Sequence, residues 1–193
     1  MIVDEKNIII AASNGDTRAI ERLINEYAEK LYSFCCYLTG SGDSADDLSQ
    51  DVLVKALKSL KGFRCEASFS TWLNKIAMNL WKDNLRRSNT VKFVELDHEI
   101  QNEDGELVKE MIDPKDTIEH VMQKQELERV IKNALNKLVP EQRIAIILKY
   151  IEGKSLLEIS EICDCPVGTI GARLKRGIIE VRKYLKPYVE NKD

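Results

Sequence analysis

Apolar residues recur at intervals of three and four along most of the chain, the spacing that places side chains on one face of an α-helix. Runs of β-branched and aromatic residues that alternate with polar ones are missing, apart from a short stretch at 91–96. A half-buried strand needs that alternation over several residues. The pattern therefore predicts an all-α protein.

Three amphipathic helices are predicted within residues 1–88, which form the first domain. A capping residue precedes two of them and a glycine follows the same two, as is typical of helix ends. Their expected limits are Asp16 and Gly40, Ser44 and Gly62, and Ser70 and Arg87. Their inward residues are Ile20, Leu23, Ile24, Tyr27, Leu31, Phe34 and Leu38, then Leu48, Val52, Ala56, Leu57 and Leu60, and then Leu73, Ile76, Ala77 and Leu80.

Residues 89–116 contain few large apolar side chains at helical spacing. Ten acidic and four basic residues lie between 89 and 125, so this part of the chain is strongly acidic. Such a composition is typical of a flexible linker. We therefore expect two small helical domains, 1–88 and 117–193, joined by an acidic flexible linker.

The helical spacing returns at Thr117. Pro140 is expected to open a helix that stops at Gly153, because proline is favoured at the first helical position. The sequence SLLE at 155–158 has the form of a capping box and predicts a short helix. A tight turn, CDCP, then leads to a last helix from Pro166 to about Lys186, ended by Pro187. This order predicts a helix-turn-helix.

The inward face of the last helix consists of apolar residues spaced by three and four. They are Val167, Ile170, Leu174, Ile178, Val181 and Leu185. The outer face carries Thr169, Ala172 and Arg176, flanked by Arg173 and Lys175. The second helix of a helix-turn-helix can enter a DNA major groove, although an all-α domain with a basic terminal helix need not bind DNA.

Overall charge does not favour a nucleic-acid partner, because 29 Lys and Arg stand against 32 Asp and Glu. The distribution changes this picture. Six cations and one acid lie between 173 and 186, and phosphate binding depends on such local clusters.

A second candidate surface lies on the third helix. Lys75, Asn79, Lys82 and Arg86 share one flank, and Trp72 borders them. Cations suit phosphates, an amide can bond a base edge, and an aromatic ring can stack on an exposed base. The alternative is an ordinary solvated flank with Trp72 partly in the core.

Enzymatic chemistry is not expected. The two histidines, His98 and His120, have no nearby nucleophile, and no phosphate-binding glycine loop is present. The five cysteines lack zinc-site spacing and are expected to be reduced thiols, with a redox sensor as the alternative. We expect no cofactor or metal. The absence of a signal peptide and of an apolar span predicts a cytoplasmic chain without direct membrane insertion.

Three segments resemble the extracytoplasmic-function (ECF, group 4) sigma factors of bacterial RNA polymerase. They are ADDLSQDVLVKALKSLKGF, FSTWLNKIAMNLWKDNLRR and LVPEQRIAIILKYIEGKSLLEISEICDCPVGTIGARLKRG, in that order. The resemblance implies that 1–88 is the region 2 helical bundle and 117–193 is the region 4 helix-turn-helix. It implies an alternative sigma factor that directs promoter recognition, DNA melting and transcription initiation for a specialised regulon, such as one for stress or envelope signals.

The resemblance also implies roles for individual residues. The residues implied to contact the β′ clamp of core polymerase are Asp47, Leu48, Gln50 and Asp51. Leu48 would supply an apolar anchor between the acids. The residues implied to contact minus-ten DNA, including a flipped base, are Gly62, Phe63, Arg64, Ser68, Trp72, Lys75, Asn79, Lys82 and Arg86. The residues implied to contact minus-thirty-five DNA are Thr169, Ala172, Arg173, Lys175 and Arg176. Gly171 and Ala172 depart from the longer polar residues of many members, so base preference there does not transfer.

The implied partners are core RNA polymerase, through its β′ clamp and β flap, promoter DNA, and a cognate anti-sigma factor that is often membrane-bound. The acidic linker would enter the active-site channel of the polymerase, or serve as a solubilising tether. The competing hypothesis is a stand-alone helix-turn-helix regulator that binds duplex DNA without polymerase. A protein-interaction adaptor is a third.

Overall fold

In a computed structural model, residues 3–87 and 118–190 are described, and they fall into two compact units. These ranges are built from α-helices, with one short 3₁₀ turn and one π turn, and contain no strand. The predicted all-α fold is confirmed for the described ranges. The linker predicted at 89–116 lies outside them.

The first unit contains four α-helices, one more than predicted. They are α1 (Val3–Ser13), α2 (Thr17–Thr39), α3 (Gly42–Ser59) and α4 (Phe69–Arg87), with a 3₁₀ turn at Leu60–Gly62 after α3. The sequence did not indicate α1 because three consecutive isoleucines show no helical spacing. Ile8 and Ile9 are buried where α1 packs on α2, whereas Ile10 is 46% exposed.

Both predicted ends of α2 are confirmed. Asp16 Oδ1 accepts hydrogen bonds from the backbone N–H groups of Arg18 at 2.9 Å and Ala19 at 3.1 Å. Gly40 ends the helix with φ 73°, a left-handed conformation in which glycine is favoured. The limits of the longest helix in this unit therefore follow from two short-range signals.

The core of the first unit lies where α2, α3 and α4 meet. Phe34, Leu38, Val52 and Ala77 are fully buried there, as the apolar spacing predicts. Burying one large apolar side chain contributes about 1.5–3 kcal/mol relative to leaving it exposed. α1 is joined to α2 by a hydrogen bond that the Tyr27 hydroxyl donates to the Glu5 carboxylate. Burial, and then that bond, raise the pKa of Tyr27.

Three details of the first unit differ from the prediction. Helix α3 begins at Gly42 rather than Ser44, because the Ser41 carbonyl accepts the Ala45 N–H at 3.0 Å and starts the helical ladder. Leu57 was expected inside but is 41% exposed. On α4, Ile76 and Leu80 are half-buried, and Asn74, Met78 and Trp81 are buried instead. Both α2 and α3 pack on α4, which turns and widens its buried face.

The second unit contains the remaining four α-helices of the described ranges. They are α5 (Ile118–Asn136), α6 (Pro140–Ile146), α7 (Leu156–Cys163) and α8 (Val167–Glu190), with a π turn at Ile147–Ile151 after α6. Pro140 occupies the first turn of α6, as predicted. Ser155 and Glu158 form the predicted capping box, in which the Glu158 N–H donates to Ser155 Oγ at 3.2 Å and the Ser155 N–H donates to Glu158 Oε2 at 2.9 Å.

The end of the last helix was predicted wrongly. α8 continues through position 187 to Glu190 instead of stopping at Pro187. A proline removes one backbone donor, so a helix can run past it near its end without that hydrogen bond. The inward face is also narrower than expected, because Ile170 and Leu174 are buried while Val167, Ile178, Val181 and Leu185 are half-buried.

A close crossing of α6 and α8 occurs at Gly177, which is buried. A Cβ atom added there would lie 3.0 Å from Ile146 Cγ1 and 3.4 Å from Gln142 Cβ. Glycine therefore lets the two backbones approach closely.

Replacing Gly177 by alanine is expected to destabilise the second unit by about 1–2 kcal/mol, because overpacking at Ile146 outweighs the better helix propensity of alanine. Gly168→Ala is the matched control. It lies in the first turn of the same helix with nothing within 4 Å of its Cβ position, and it should stabilise by up to about 1 kcal/mol. Hydrogen exchange of the α6 and α8 amides measures the stability of both variants. Equal stabilisation by the two substitutions would contradict a tight contact at Gly177.

Candidate nucleic-acid and partner-binding surfaces

One exposed face of α3 carries the residues expected to contact the polymerase. Asp47, Gln50 and Asp51 are all exposed and, spaced by three and four, they share one side of the helix. Val54 extends this side by another turn and is 50% exposed. We call these four residues the α3 acidic face. It combines two carboxylates, an amide and one apolar side chain in a continuous row.

Leu48 does not belong to the α3 acidic face. Its side chain is only 2% exposed and lies in the core of the first unit. It was expected to be the apolar anchor for the partner, but it can only hold α3 in place from within. The exposed apolar side chains nearest to the acids are Val54 and Leu57, and Leu57 lines an apolar pocket with Ile24 and Leu53.

Helix-dipole stabilisation explains little of the role of Asp47. Because α3 starts at Gly42, Asp43 occupies its first turn and Asp47 lies in the second. The dipole effect falls off within the first turn. Asp47 therefore contributes little as a helix-stabilising charge and is available to a partner.

The segment 62–68 between the 3₁₀ turn and α4 is held at both ends. Phe63 packs against Trp72 with ring centroids 4.9 Å apart and against Phe69 at 5.7 Å. At the other end, Ser68 Oγ accepts the Thr71 N–H at 3.1 Å and so caps α4. Between them, Cys65 has φ 55°, which is uncommon for a residue other than glycine. The segment thus has a defined conformation.

Within this segment Ser68 has a structural role that the sequence did not indicate, whereas Arg64 is exposed as expected. Ser68 was expected to face DNA, but its hydroxyl is used to start α4 and also contacts the Thr71 hydroxyl at 2.8 Å. Arg64 points to solvent with 83% of its side chain exposed, and its contact with Glu66 at 4.0 Å is a weak surface pair. Arg64 remains available to a phosphate.

The cationic flank of α4 is largely exposed, as the helical spacing predicts. Lys75, Asn79 and Arg86 are exposed and Lys82 is half-buried. Arg86 forms an ion pair with Asp83 at 3.4 Å, with more than half of its side chain in solvent. Trp72 is half-buried at the edge of the row. Trp72 thus lies partly in the core, as the alternative interpretation expected, since its indole packs on Phe63 and Phe69.

Helices α7 and α8 form the predicted helix-turn-helix. Ile159 and Ile162 bury the inner side of α7. The turn is closed by Asp164 in a left-handed conformation and by two hydrogen bonds between Ser160 and Cys165. The Ser160 hydroxyl donates to the Cys165 carbonyl at 2.6 Å, and the Cys165 N–H donates to the Ser160 carbonyl at 3.2 Å.

The expected DNA-reading residues of α8 lie together on its outer side. Lys175 is exposed, and the others are half-buried; these are Thr169, Ala172, Arg173 and Arg176. One contact was not visible in the sequence. Arg173 Nη1 lies 3.2 Å from Cys165 Sγ, so the guanidinium is oriented by a thiol of the turn.

The thiols differ in their surroundings, and none is joined in a disulfide. Cys35 is fully buried, and burial followed by the charge of Cys36 raises the pKa of Cys35 to about 12. Within 3–87 and 118–190, no group of three His, Cys, Asp or Glu side chains is arranged to hold a metal ion. No helix of the described ranges is long and apolar enough to cross a bilayer.

The first unit with its cationic helix flank, and the second with its helix-turn-helix, together define a helical DNA-binding protein of two units. Comparison with known families gives the class its name. Sigma-70 region 2 matches residues 23–90, and Sigma-70, region 4 matches residues 128–180. The chain belongs to the ECF sigma factors of the sigma-70 family, and it is an alternative sigma factor that directs transcription initiation.

Relatives in other bacteria span nearly the same length. The chain is 32% identical to the ECF RNA polymerase sigma factor SigW of Bacillus subtilis (strain 168), over 94% of this chain and 96% of SigW. It is 31% identical to the ECF RNA polymerase sigma-E factor of Escherichia coli (strain K12), over 94% of each chain. The solved sigma factor RpoE of Bartonella quintana, in complex with the anti-sigma factor NepR, is similar with a TM-score of 0.62 at 27% identity, covering 86% of this chain and 96% of that chain.

Proposed function

We propose that the alternative sigma factor divides its work between three surfaces. The α3 acidic face binds core polymerase, the flank of α4 with segment 62–68 reads and melts the minus-ten element, and α8 reads the minus-thirty-five element. One observation carries the assignment of α4 to the minus-ten element. The row of Lys75, Asn79 and Arg86 is exposed beside a half-buried tryptophan, while the opposite side of α4 packs in the core.

The α3 acidic face suits the β′ clamp of polymerase, which offers a basic helical surface. Asp47 and Asp51 would set the register by charge, and Gln50 would add hydrogen bonds. Val54 replaces Leu48 as the apolar contact, since it is exposed and in line with the acids. Charged groups around an apolar centre are the usual anatomy of a specific interface.

Segment 62–68 and the α4 flank suit a single-stranded minus-ten element. The exposed Gly62 and the backbone around the left-handed Cys65 would receive an extruded base, and the exposed Asn79 would contact it. Trp72 offers an edge for stacking, with Phe63 behind it. Lys75, Lys82 and Arg86 would hold phosphates, joined by Arg64. Ser68 acts indirectly, by holding the segment in shape.

Helix α8 suits the major groove of the minus-thirty-five element. Arg173 is the candidate for a base contact, and Lys175 and Arg176 for phosphates. Thr169 and Ala172 offer a hydroxyl and a methyl group to base edges. Because Gly171 and Ala172 carry no side-chain donors, Arg173 would determine more of the base preference here, and Lys175 more of the phosphate binding.

The domain limits follow from these assignments. Region 2 would comprise residues 1–88, the linker 89–116 and region 4 residues 117–193. The acidic linker would enter the channel of the polymerase that nucleic acid occupies, and the β flap would bind the second domain. Two compact units with helices up to both edges of 88–117 support this division.

Regulation by an anti-sigma factor is part of the proposal, because the similar RpoE was solved with its anti-sigma factor NepR. The regulon would be specialised, answering a stress or envelope signal, and the chain would act in the cytoplasm, where the polymerase is. It would contribute specificity to the reaction of the polymerase, without chemistry of its own.

Reconstitution tests the proposal as a whole. The full chain is mixed with core polymerase that lacks any other sigma factor and with genomic DNA, and the 5′ ends of the RNA are sequenced. We expect a complex that starts RNA at a limited set of positions sharing two promoter elements. Failure to assemble or random starts would overturn the proposal. Tight binding of duplex DNA without core would indicate a stand-alone regulator.

Replacing Asn79 by alanine is expected to reduce discrimination at one minus-ten position by roughly 2- to 10-fold, the value of one hydrogen bond. Preference at minus thirty-five should not change. Transcription from promoter variants altered at one element at a time measures both. Asn84→Ala is the control, since Asn84 is also exposed on α4 but on another side. A larger change at minus thirty-five would contradict the assignment.

A further inference from the structure

We propose that Cys165 is an oxidant-sensitive thiol that controls the position of Arg173, with Cys163 as the thiol that resolves its oxidised form. The inference rests on the proposed function, since it concerns the reading of minus-thirty-five DNA by α8. It assigns a covalent modification site to the turn of the helix-turn-helix. The oxidant is a peroxide.

The surroundings of Cys165 favour reaction. Its side chain is half-buried, not sealed in the core, and Arg173 Nη1 lies 3.2 Å from its sulfur. A cation next to a cysteine stabilises the thiolate, which is the form that attacks peroxides. Cys165 also directly precedes Pro166, whose carbonyl accepts the first hydrogen bonds of α8, so the sulfur lies near the positive end of a long helix.

Other thiols of the chain have different neighbours. Cys35 is fully buried, and the raised pKa of its thiol keeps it protonated. Cys36 is half-buried, like Cys165, but hydrogen-bonds the phenol of Tyr32 instead of a guanidinium. Cys36 is therefore a suitable internal reference for the reactivity of Cys165.

Cys163 lies at a distance that allows a disulfide. The residue between the two cysteines, Asp164, has φ 53° and ψ 49°, the mirror image of helical values. The separation of two Cα atoms that flank one residue depends on the φ and ψ of that residue. In a helix this separation is about 5.4 Å, and the mirror image has the same value. Disulfides span Cα separations of about 4.4–6.8 Å.

The oxidation is a two-step reaction. The Cys165 thiolate attacks one oxygen of hydrogen peroxide, the O–O bond breaks, and hydroxide leaves, so that the sulfur becomes a sulfenic acid. The Cys163 sulfur then displaces the sulfenic oxygen, which leaves as water with the proton of the Cys163 thiol. Two thiols and one peroxide thus give a disulfide and two waters.

The consequence for DNA reading follows from the geometry of the turn. The backbone of Cys165 is fixed by its two hydrogen bonds with Ser160, so its sulfur can reach Cys163 only by turning its side chain. That rotation breaks the contact with Arg173, whose guanidinium loses its orientation. Oxidation would therefore weaken recognition of the minus-thirty-five element.

The first experiment measures thiol reactivity in the full reduced chain. Iodoacetamide is added for short times, and alkylation at Cys165 and Cys36 is quantified by peptide mass spectrometry. We expect Cys165 to react about tenfold faster than Cys36, and Arg173→Ala to remove most of this difference. Lys183→Ala is the control, because Lys183 pairs with Glu180 at 2.6 Å elsewhere on α8. Equal rates, or no effect of Arg173→Ala, would overturn the proposal.

The second experiment measures the consequence. The chain is treated with hydrogen peroxide, freed of peroxide, and added to core polymerase and a promoter with a minus-thirty-five element. We expect a Cys163–Cys165 disulfide and a loss of transcription of roughly tenfold, the effect of displacing one base-reading arginine, reversed by dithiothreitol. In Cys163→Ser, dimedone should trap a sulfenic acid at Cys165.

Cys165→Ser, compared with and without peroxide, should show no change on treatment, and an equal loss would overturn the proposal. If the untreated chain does not start RNA with core polymerase, the proposed function fails, while the alkylation rates still decide whether Cys165 is a reactive thiol. If the untreated chain is active and peroxide leaves it unchanged, the proposed function stands and this inference fails.

Discussion

Replacing Asp47 and Gln50 together by alanine is expected to weaken binding to core RNA polymerase by a factor on the order of 10 to 100. Both side chains are exposed on the α3 acidic face, and each would lose a hydrogen bond to a charged or polar group worth about 1 kcal/mol or more at an interface. The fold should be unaffected, because neither residue contributes to the core. Titration of labelled core polymerase with the full chain measures the affinity.

The control for this experiment is the pair Asn25→Ala and Glu29→Ala. These residues are exposed on α2 and lie four positions apart, compared with three for Asp47 and Gln50, and the pair again removes one carboxylate and one amide. We expect it to leave the affinity for core unchanged. If both double variants bind equally well, the α3 acidic face is not the polymerase contact. Val54→Ala should weaken binding further, whereas Leu48→Ala should destabilise the unit by about 2–5 kcal/mol.

Replacing Arg173 by alanine is expected to reduce promoter binding by about 1–3 kcal/mol, with the loss confined to promoters that carry the preferred base at one minus-thirty-five position. The reason is that a guanidinium reading a base edge discriminates between bases, whereas a cation on a phosphate does not. The measurement is binding of the holoenzyme to a panel of promoters substituted at each position of that element.

Arg182→Ala is the matched control for Arg173. It removes an exposed guanidinium from the same helix, more than two turns beyond Arg173. We expect at most a small, uniform loss. If Arg173→Ala weakens all promoters alike, Arg173 binds a phosphate, and the specificity of α8 must come from Thr169, Lys175 or Arg176.

Local signals accounted for four of the helix limits. These signals act within four residues of the helix end, so the sequence alone predicts their effect; they are Asp16, Gly40, Pro140 and the Ser155 capping box. The sequence did not predict the features that depend on tertiary packing. α1 is stabilised by burial on α2 without an apolar stripe of its own, and the tight crossing at Gly177 depends on Ile146, thirty-one positions earlier in the numbering.

The candidate site shows the same division. Helical spacing correctly placed Lys75, Asn79 and Arg86 on an exposed flank, because exposure on a helix follows from period alone. Helical spacing also placed Leu48 on the inward face of α3, and its burial confirms this, whereas the anchor role of Leu48 came from the family resemblance. The contact of Arg173 with Cys165 joins a turn to a helix and has no signature in the sequence.

The packing of α1 on α2 determines where a stable fragment of this protein should begin. The region 2 match starts at residue 23, inside α2, and a fragment beginning there lacks Asp16, Ile8 and Ile9. Such a piece would expose to solvent the apolar side of α2 that α1 covers, at a cost of about 1.5–3 kcal/mol for each isoleucine removed. Subcloning for crystallisation or magnetic resonance is therefore best begun ahead of Val3.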